Sequence, residues 1–515
     1  MTARASRVTR LALASGRGVL ARVCTFAIDG LATRQVWVEV DIRPGLPTFA
    51  IVGLGDAAVR EARERVRAAI QNAGFTFPQQ RITANLAPAH LRKTGPGFDL
   101  AIACGVLGAS GQVPADALQR LAVFGELSLT GDVKACRGTL AVAEGARAAG
   151  LQGLVVAPER AGEAALVDGL KLAAVSDLQA TARVLAGIDP LGWRPAAGNG
   201  NRAGAGGEAD PDLADVRGHP EAIDALTIAA AGGHNLLLCG PPGTGKTMLA
   251  RRMPSILPPL SRSEAIEVTR IHSVAGLYEA DGLIERRPFR APHHSISASG
   301  LVGGGALPVP GEASLAHHGV LFLDELSEFH RPSLEALRQP LEDGRVAIVR
   351  GQHSALYPTR FMLVAATNPC PCGFAGVANR CRCTEADLAR HRRRLSGPLL
   401  DRLDLLIHVT RPSADSLAGG PTSNSADVRE IVRAARERRA DRRGRGRGLR
   451  LETDAAEALA RAYRDGHLTA RGHARVGRVA RTIADLDGSE RVERRHVLKA
   501  VSLRQDLVSR LEGVA

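Results

Sequence analysis

The stretch "NLLLCGPPGTGKTMLARRM", residues 235–253, joins an apolar run to a glycine- and proline-rich loop and then to a helix-like segment. The apolar run predicts a short buried strand, and the residues from Thr247 onward predict a helix. The loop between them has the spacing of a phosphate-binding loop, because glycines let several backbone N–H groups point at one anion and a helix start favours phosphate. A glycine turn that binds no nucleotide is the alternative, and it leaves the complete match between a strand and a helix unexplained.

This loop predicts a site for ATP and Mg²⁺. Lys246 is placed to reach the β- and γ-phosphates, and the Thr247 hydroxyl is placed to hold Mg²⁺. The residues expected to surround the nucleotide are Gly240, Pro241, Pro242, Gly243, Thr244, Gly245, Lys246, Thr247 and Met248.

A second apolar run ends in residues suited to hydrolysis. "GVLFLDEL", residues 319–326, predicts a strand that ends in Asp324 and Glu325, about 80 residues after the loop. Asp324 would orient Mg²⁺ through its water shell, and Glu325 would polarise the attacking water. Such a pair also ends strands that merely meet solvent, but after a phosphate-binding loop it indicates the catalytic acids of an ATPase.

A third apolar run, "FMLVAATNP" at residues 361–369, predicts a buried strand with Asn368 at its tip. An amide at this place would position water near the γ-phosphate. A turn residue that precedes Pro369 is the other interpretation of Asn368.

The composition is that of a globular protein with several domains and a basic surface. The chain has 515 residues, too many for one hydrophobic core, and 45% of them are hydrophobic. Its apolar runs fall short of the roughly 20 residues of a membrane span, and "LALASG" is a poor signal-peptide core. A cytoplasmic protein without a membrane partner is therefore expected. The net charge of +14 indicates a polyanionic partner.

Much of the positive charge lies towards the C-terminus. Residues 426–515 hold 22 lysines and arginines against 14 aspartates and glutamates. "RERRADRRGRGRGLR", residues 436–450, is dense enough for a contact with a phosphate backbone. A solvated linker is the other interpretation of this segment.

Two breaks in the hydrophobic periodicity divide the chain, and helical spacing follows the second. The predicted organisation is a tail at 1–20, an N-terminal domain at 21–186, a linker at 187–212, an ATPase core at 213–410, a linker at 411–427 and a helical domain at 428–515.

Four of the eight cysteines stand close together in "CPCGFAGVANRCRC". Four thiolates in such a segment would suit a closed tetrahedral Zn²⁺ site that staples a loop lacking its own core. Reduced thiols in a turn are the alternative, and the C-x-C spacing is tighter than that of most zinc sites. The predicted ligands of a structural Zn²⁺ are Cys370, Cys372, Cys381 and Cys383.

Longer segments carry a family resemblance. They are "FAIVGLGDAAVREARERVRAAIQNAGF" (49–75), "RITANLAPAHLRKTGPGFDLAIA" (81–103), "RPFRAPHHSISASGLVGGG" (287–305), "NPCPCG" (368–373), "LSGPLLDRLDL" (395–405) and "ARTIADLDG" (480–488). Through them the chain resembles the ComM/YifB-type, magnesium-chelatase-like AAA+ ATPases over about residues 20–510. The resemblance implies an α/β multidomain fold: a Lon-protease-like α+β N-terminal domain, an AAA+ P-loop α/β core with a parallel sheet, and a C-terminal helical lid.

The resemblance also implies roles for two arginines. Arg402 in "LLDRLD" is similar to an arginine finger that completes the nucleotide site of the neighbouring subunit, which explains why such ATPases form rings, usually hexamers. Arg471 is similar to the lid arginine that senses the γ-phosphate, with Arg475 as the alternative. An ordinary basic helix face is the other interpretation of both lid residues.

Two insertions are similar to those that project into the central channel of related rings. They lie in "RPFRAPHHSIS" and in the hairpin-like "EDGRVAIVRGQHSALYPTRF" (342–361). A channel that grips a DNA backbone needs donors for phosphate. The double histidine has a metal pair or a local structural cluster as alternatives. The expected DNA contacts are Arg290, His293, His294, Arg345, Arg350 and His353.

The N-terminal domain resembles the Lon-protease fold without its proteolytic pair. Gly97 stands where the nucleophilic serine of that family would be, and Leu140 stands about where its lysine would be. A peptidase activity is therefore not expected.

The resemblance implies a hexameric ATPase that translocates on single-stranded or branched DNA, as a helicase that promotes branch migration and integration of DNA in natural transformation and recombination. A chelatase-type motor that remodels a partner protein is the main alternative. An ATP-dependent protease is a further one, against which Gly97 and Leu140 argue.

Overall fold

The structure is a computed structural model that describes residues 19–190, 211–278, 282–305, 308–350, 353–375, 377, 380–394, 397–420, 423–444, 448–466 and 468–512. These residues belong to two compact units, one of residues 1–205 with 265–284 and one of residues 206–264 with 285–515. Nearly all of the predicted tail and most of the predicted linker at 187–212 lie outside the described residues.

The first unit is built on a mixed sheet of seven strands in the order β3-β4-β2-β1-β5-β8-β9. The strand β2 pairs antiparallel with β1 and β4, whereas β3, β5, β8 and β9 each join a parallel neighbour. A separate pair is formed by β6 and β7. The strands are β1 (Val19–Asp29), β2 (Ala32–Arg43), β3 (Thr48–Val52), β4 (Arg81–Ala87), β5 (Leu121–Val123), β6 (Glu126–Leu127), β7 (Val133–Lys134), β8 (Gly153–Val156) and β9 (Lys171–Ala174).

Helices cover this sheet because its strands bury alternate side chains. In β4 the side chains of Ile82, Ala84 and Leu86 are buried and the residues between them are less so, as expected for a strand with one face on the core. Every residue of the helix α2 is buried, and its residues after Asp99 are all apolar or glycine. The helices are α1 (Ala57–Asn72), α2 (Asp99–Ala109), α3 (Ala115–Leu118), α4 (Thr139–Ala148), α5 (Ala161–Ala164) and α6 (Leu178–Leu185).

The second unit contains a parallel sheet of five strands in the order β11-β14-β17-β10-β18. Every residue of β10, β14 and β17 is buried, which explains their continuous apolar sequences. The carboxyl ends of these three strands meet at one edge, where the predicted site residues follow them. The strands are β10 (Leu236–Cys239), β11 (Phe289–Arg290), β12 (Gly303–Gly304), β13 (Val309–Pro310), β14 (Val320–Leu323), β15 (Arg345–Arg350), β16 (His353–Pro358), β17 (Met362–Thr367) and β18 (Leu405–His408).

Helices flank the parallel sheet and form the C-terminal part. This parallel α/β core, the helical C-terminal part and the mixed first unit confirm the predicted fold class. The helices are α7 (Pro220–Gly232), α8 (Lys246–Arg251), α9 (Met253–Ile256), α10 (Arg262–Ala275), α11 (Ala298–Val302), α12 (Glu312–Leu315), α13 (Arg331–Ala336), α14 (Arg338–Asp343), α15 (Glu385–Arg394), α16 (Gly397–Leu400), α17 (Ala414–Ala418), α18 (Ser425–Gly444), α19 (Thr453–Arg464), α20 (Ala470–Leu486) and α21 (Arg494–Glu512).

Two segments have features that the predicted division into domains and linkers did not include. The predicted linker at 411–427 holds the short helix α17, whose first turn is capped because Ser413 Oγ accepts the Ser416 N–H at 3.2 Å. Residues 265–284, which include most of α10, pack with the first unit. There the Gly138 N–H donates to Ser273 O at 3.2 Å, and Arg160 Nη1 donates to Tyr278 O at 2.8 Å.

The predicted hairpin at 342–361 is formed by β15 and β16. The strands pair antiparallel, with Arg345 opposite Pro358 and Arg350 opposite His353. The expected tip, Gly351–Gln352, lies outside the described residues.

Within the described residues, the helices are all too short or too polar to span a lipid bilayer.

Candidate nucleotide site

The phosphate-binding loop leaves the sheet after β10 and enters α8. Gly240 is required at the start of the loop, because a Cβ atom there would lie 2.2 Å from the Val409 carbonyl oxygen. Gly245, at the end of the loop, has φ +86°, in the left-handed region that favours glycine. The spacing of these glycines therefore follows from a close approach at one end and a backbone reversal at the other.

The Lys246 ammonium lies inside the loop. Its Nζ donates to Gly240 O at 2.8 Å, to Pro241 O at 2.9 Å and to Asn368 Oδ1 at 3.1 Å. Burial lowers the pKa of Lys246, and the nearby Asp324 acts in the opposite direction. The tip of β17 and the loop after β10 thus converge on one cation.

Thr247 and Asp324 meet across the carboxyl ends of the strands. The Thr247 hydroxyl donates to Asp324 Oδ2 at 2.7 Å, and Asp324 Oδ1 accepts the Glu325 N–H at 2.9 Å. A hydroxyl and a carboxylate at this distance form the donor set expected for Mg²⁺ beside a bound triphosphate. These residues therefore fit the predicted metal ion.

Glu325 has a left-handed backbone, with φ 52°, and an exposed carboxylate. Its Oε2 lies 3.7 Å from His294 Nδ1. His294 is one of the predicted DNA contacts, and the structure places it beside the predicted catalytic acid. The adjacent His293 accepts or donates at Nδ1 with Ser295 Oγ at 2.8 Å, and its ring centre lies 4.0 Å from that of His294.

A cavity of about 250 Å³ unites most of the predicted nucleotide site. Arg402 and Arg471 do not line it. Thr367, which was not among the predicted site residues, lines it because it ends β17 just before Asn368. The lining residues are Pro242, Gly243, Thr244, Gly245, Lys246, Thr247, Met248, Asp324, Glu325, Thr367 and Asn368.

Asn368 has a second anchor that no sequence pattern indicated. Its backbone oxygen lies 2.9 Å from His391 Nε2, and His391 is buried on α15. Asn368 is thus held through its backbone oxygen by His391 and through its side-chain Oδ1 by Lys246.

The Arg402 side chain is buried within its own subunit. It pairs with Glu342 on α14, and its backbone oxygen accepts from Arg475 Nη1 at 3.0 Å. Arg475 also donates to Asp404 Oδ1 at 2.7 Å, whereas Arg471 is exposed in the first turn of α20. The two candidates for the lid arginine therefore differ: Arg475 already has a carboxylate partner, and Arg471 faces solvent.

The four predicted zinc ligands come together. The Cys370 sulfur lies 3.4 Å from that of Cys372 and 3.9 Å from that of Cys381, and the four sulfurs all lie within 4.8 Å of one another. Tetrahedral Zn–S bonds of about 2.3 Å place sulfurs about 3.8 Å apart. The cluster therefore fits a tetrahedral thiolate site.

The remaining predicted DNA contacts are placed differently from one another. Arg290 forms a two-point ion pair with Glu312, through Nε at 2.6 Å and Nη2 at 2.8 Å, and the hydrogen bond to Glu312 raises its pKa. Arg345 is exposed on β15. The backbones of Arg350 and His353 lie opposite each other beside the hairpin tip, and their side chains lie outside the described part of the structure.

The first unit has no room for a serine at Gly97. A Cβ atom there would lie 2.5 Å from Cε2 of the Phe124 ring. Leu140 is buried, and its N–H donates to Glu163 Oε1 at 2.7 Å. Both positions are thus filled by packing that a serine–lysine pair would disrupt.

A parallel sheet with this loop, the Asp-Glu strand end and a helical C-terminal part defines a P-loop protein of the AAA+ class. Comparison with known protein families supports this class along most of the chain. Residues 38–160 match subunit ChlI of Mg-chelatase, residues 212–417 match magnesium chelatase, subunit ChlI, and residues 422–504 match the C-terminal part of that subunit. The chain belongs to this magnesium-chelatase-like family, in its ComM/YifB group.

Two full-length relatives support the group. The chain is 42% identical to the uncharacterized protein YifB of Escherichia coli and 41% identical to the competence protein ComM of Haemophilus influenzae. Each match covers 94% of this chain and 97% of the relative.

Two partial matches concern single parts of the architecture. Lon protease 2 of Bacillus subtilis is 29% identical over 27% of this chain and 27% of its own length, which agrees with the Lon-like component of the fold. The Holliday junction branch migration complex subunit RuvB of Mycobacterium leprae is 27% identical over 56% of this chain and 72% of its own length.

Proposed function

We propose that this protein hydrolyses ATP with Mg²⁺ and uses the energy to move along DNA as a ring. The observation that carries the hydrolytic part is the convergence of Thr247, Asp324, Lys246 and Asn368, joined by hydrogen bonds of 2.7 and 3.1 Å, at the carboxyl ends of three parallel strands. Lys246 binds the β- and γ-phosphates, and Thr247 and Asp324 hold Mg²⁺ directly or through its water shell.

Glu325 is the residue that acts on the attacking water. Its carboxylate lines the cavity and faces solvent, so that it can accept a hydrogen bond from a water molecule in line with the γ-phosphate. Asn368, whose Oδ1 accepts from Lys246 Nζ at 3.1 Å, orients the same phosphate or water through its amide.

The charge of the cavity lining supports the proposal of a ring. Lys246 is the single cationic side chain among the described lining residues, and the transferred phosphoryl group gains from an arginine supplied by a neighbouring subunit. Arg402 is the proposed finger. Its ion pair with Glu342 must open, or be shared, when it reaches the neighbouring nucleotide. A hexamer is the proposed assembly.

DNA is the polymer along which we propose that the protein moves. The net charge of +14 and the exposed Arg345 on the hairpin support this choice, as do the likenesses to a competence protein, ComM, and to a branch migration subunit, RuvB. We place the protein in branch migration and integration of single-stranded DNA during transformation or recombination.

A structural Zn²⁺ completes the proposal. Cys370, Cys372, Cys381 and Cys383 have the spacing of a closed tetrahedral site, in which the ion would brace the loop that follows Asn368.

The test is ATP turnover with and without single-stranded or forked DNA, measured on the intact protein and on Glu325→Gln. We expect DNA to raise turnover and Glu325→Gln to lower it about 1,000-fold while ATP still binds. Glu328→Gln is the matched control, because Glu328 is exposed three residues further on and does not line the cavity. If turnover survived Glu325→Gln, the proposed role of Glu325 in hydrolysis would be refuted. If turnover did not change with DNA, the proposal that the protein moves along DNA would be refuted.

A second candidate is a chelatase-type motor that acts on a partner protein, favoured by the three ChlI family matches. Turnover that ignores DNA but rises with a tetrapyrrole chelatase partner would select this function.

A further inference from the structure

A second cavity opens in the AAA+ unit at the end of the sheet opposite the nucleotide site. It has a volume of about 680 Å³ and includes Gly233 before β10, Gly319 before β14 and Phe361–Met362 at the start of β17. In a parallel sheet these positions are the amino ends of the strands, whereas the nucleotide site lies at the carboxyl ends. This cavity is therefore separate from the ATP site.

The lining of the cavity is strongly basic. It contains one carboxylate, Glu264, against five arginines. We call this set of arginines the arginine pocket: Arg287, Arg360, Arg436, Arg439 and Arg443.

Three of these arginines come from one face of α18. Arg436, Arg439 and Arg443 are spaced three and four residues apart, so they lie on the same side of the helix. Arg438 and Arg442 lie outside the pocket and bind Asp485, the first at its carbonyl oxygen at 2.8 Å and the second at its carboxylate. The arginine-rich segment from 436 is thus helical as far as Gly444 and divides into a structural set and a cavity-facing set.

Backbone carbonyls, and not carboxylates, hold the inner arginines in place. Arg436 donates from Nε and Nη2 to Ala230 O at 3.0 and 2.7 Å, and Arg439 donates from Nη1 to Gly232 O at 2.5 Å. Both acceptors belong to the last turn of α7, where a helix end favours a cation. These contacts fix the two guanidinium groups through neutral acceptors. The carboxylate of the lining, Glu264, pairs with Arg287 at 3.3 Å and lies 3.4 Å from His318, so it offsets only part of the positive charge of the five arginines.

The arginines repel one another as a result. Burial, followed by the charges of Arg287 and Arg439, lowers the pKa of Arg436 to about 10. Burial and the charge of Arg443 act in the same direction on Arg439. A bound anion would relieve this repulsion.

We infer that the arginine pocket binds phosphate groups of a polyanion. Guanidinium groups bind phosphate oxygens through paired N–H donors, and several of them at a cavity wall suit neighbouring phosphates better than a single small anion. The same chemistry is offered by the backbone of a DNA strand and by a free polyphosphate. The inference stands independently of the proposed motor function, because it concerns binding at a second site.

The test uses two exposed members of the pocket, Arg360 and Arg443. Arg360→Gln and Arg443→Gln each remove one charge, and Arg433→Gln on the same helix is the matched control, since Arg433 is exposed and outside the lining. All three are made in full-length Lys246→Ala protein, so that the ATP site does not add a second triphosphate site. Binding is measured with inorganic tripolyphosphate by calorimetry and with a fluorescent oligothymidine strand by anisotropy.

We expect each pocket variant to weaken tripolyphosphate binding about tenfold and the control to change it less than about twofold. A parallel loss of oligothymidine binding would identify a nucleic-acid strand as the source of the phosphates. In that case the slope of log K against log salt concentration should become less steep by about 0.7 for each lost phosphate contact. Loss for tripolyphosphate alone would identify a free polyphosphate, and loss for the strand alone would identify phosphodiesters.

Unchanged binding of both probes in both pocket variants would overturn the inference. The two proposals can fail separately. If ATP turnover did not respond to DNA but tripolyphosphate binding still required Arg443, the proposed movement along DNA would be refuted and the inference about the arginine pocket would stand.

Discussion

Gly373 lies directly against Pro242: a Cβ atom added to Gly373 would stand 2.6 Å from Pro242 Cδ. Pro242 belongs to the phosphate-binding loop, and Gly373 follows Cys372 in the cysteine cluster, with φ +83°. The proposed zinc loop and the proposed ATP loop therefore touch at a position where both the backbone angle and the available space demand glycine.

We expect Gly373→Ala to weaken ATP binding about tenfold, because the added methyl group pushes Pro242 and distorts the loop. Titration with a fluorescent ATP analogue measures the effect. Gly420→Ala is the control, since a Cβ atom at Gly420 meets nothing within 4 Å. An affinity equal to that of the unmodified protein would show that the two loops are not mechanically linked.

Loss of one thiol should remove the metal. Cys381 is exposed, so Cys381→Ser spares the core, yet we expect zinc content to fall and the melting temperature of the second unit to drop on the order of 5 °C. Elemental analysis and differential scanning calorimetry report the two effects. Cys136→Ser, outside the cluster, should retain the metal. Folded, active protein that never contains zinc would end the four-cysteine proposal.

Asn368→Ala should reduce ATP turnover about 100-fold and alter ATP affinity much less, because the amide is placed beside Lys246 to act on the phosphate or its attacking water. Single-turnover kinetics separate the two quantities. Asn424→Ala, at a half-buried asparagine just before α18, serves as the control. If turnover were unaffected, Asn368 would be a turn residue before Pro369, as the other interpretation holds.

Acid should destabilise the second unit through His234. His234 is buried with Nε2 2.8 Å from Thr482 Oγ1, and burial lowers its pKa to about 4, with Asp404 opposing and nearby arginines reinforcing the shift. The unfolded chain binds a proton near pH 6.5 and the folded chain near pH 4. Stability is therefore complete above about pH 6.5 and declines as the pH falls to 4, by at most about 3 kcal/mol.

Urea unfolding at pH 7 and pH 5 measures this decline. We expect His234→Gln, which can keep the hydrogen bond to Thr482, to flatten the pH dependence. His473→Gln, at a half-buried histidine of α20, serves as the control variant. Equal pH profiles for His234→Gln and the unmodified protein would contradict the assignment.

Restoring the lost serine should harm the first unit and create no peptidase. Gly97→Ser brings its Cβ into the Phe124 ring, and such overpacking costs about 1–3 kcal/mol of unfolding free energy. Denaturant titration measures the loss, with Gly282→Ser as the control because a Cβ atom there meets nothing within 4 Å. ATP-dependent casein cleavage by Gly97→Ser would refute the view that this fold lacks a peptidase site.

The amino-acid sequence predicted the parts of this protein that depend on local backbone pattern. The strand, loop and helix around Lys246, the acids after β14 and the amide after β17 follow from apolar runs and from glycines whose backbone angles no other residue adopts readily. The four cysteines were also predicted, because they lie within one short segment. Breaks in the hydrophobic periodicity indicated the domain bounds, and the family resemblance indicated the fold of each domain.

The tertiary structure alone decided which side chains from distant segments become partners. It pairs Arg290 with Glu312, brings His294 to Glu325 and places His391 behind Asn368. Arginines that are alike in the sequence of α18 separate into those that bind Asp485 and those that line a cavity, because the helix turns them towards different surroundings. Local pattern specifies backbone conformation, whereas charge pairing and burial depend on packing between segments far apart in the chain, and these become defined only once the core has formed.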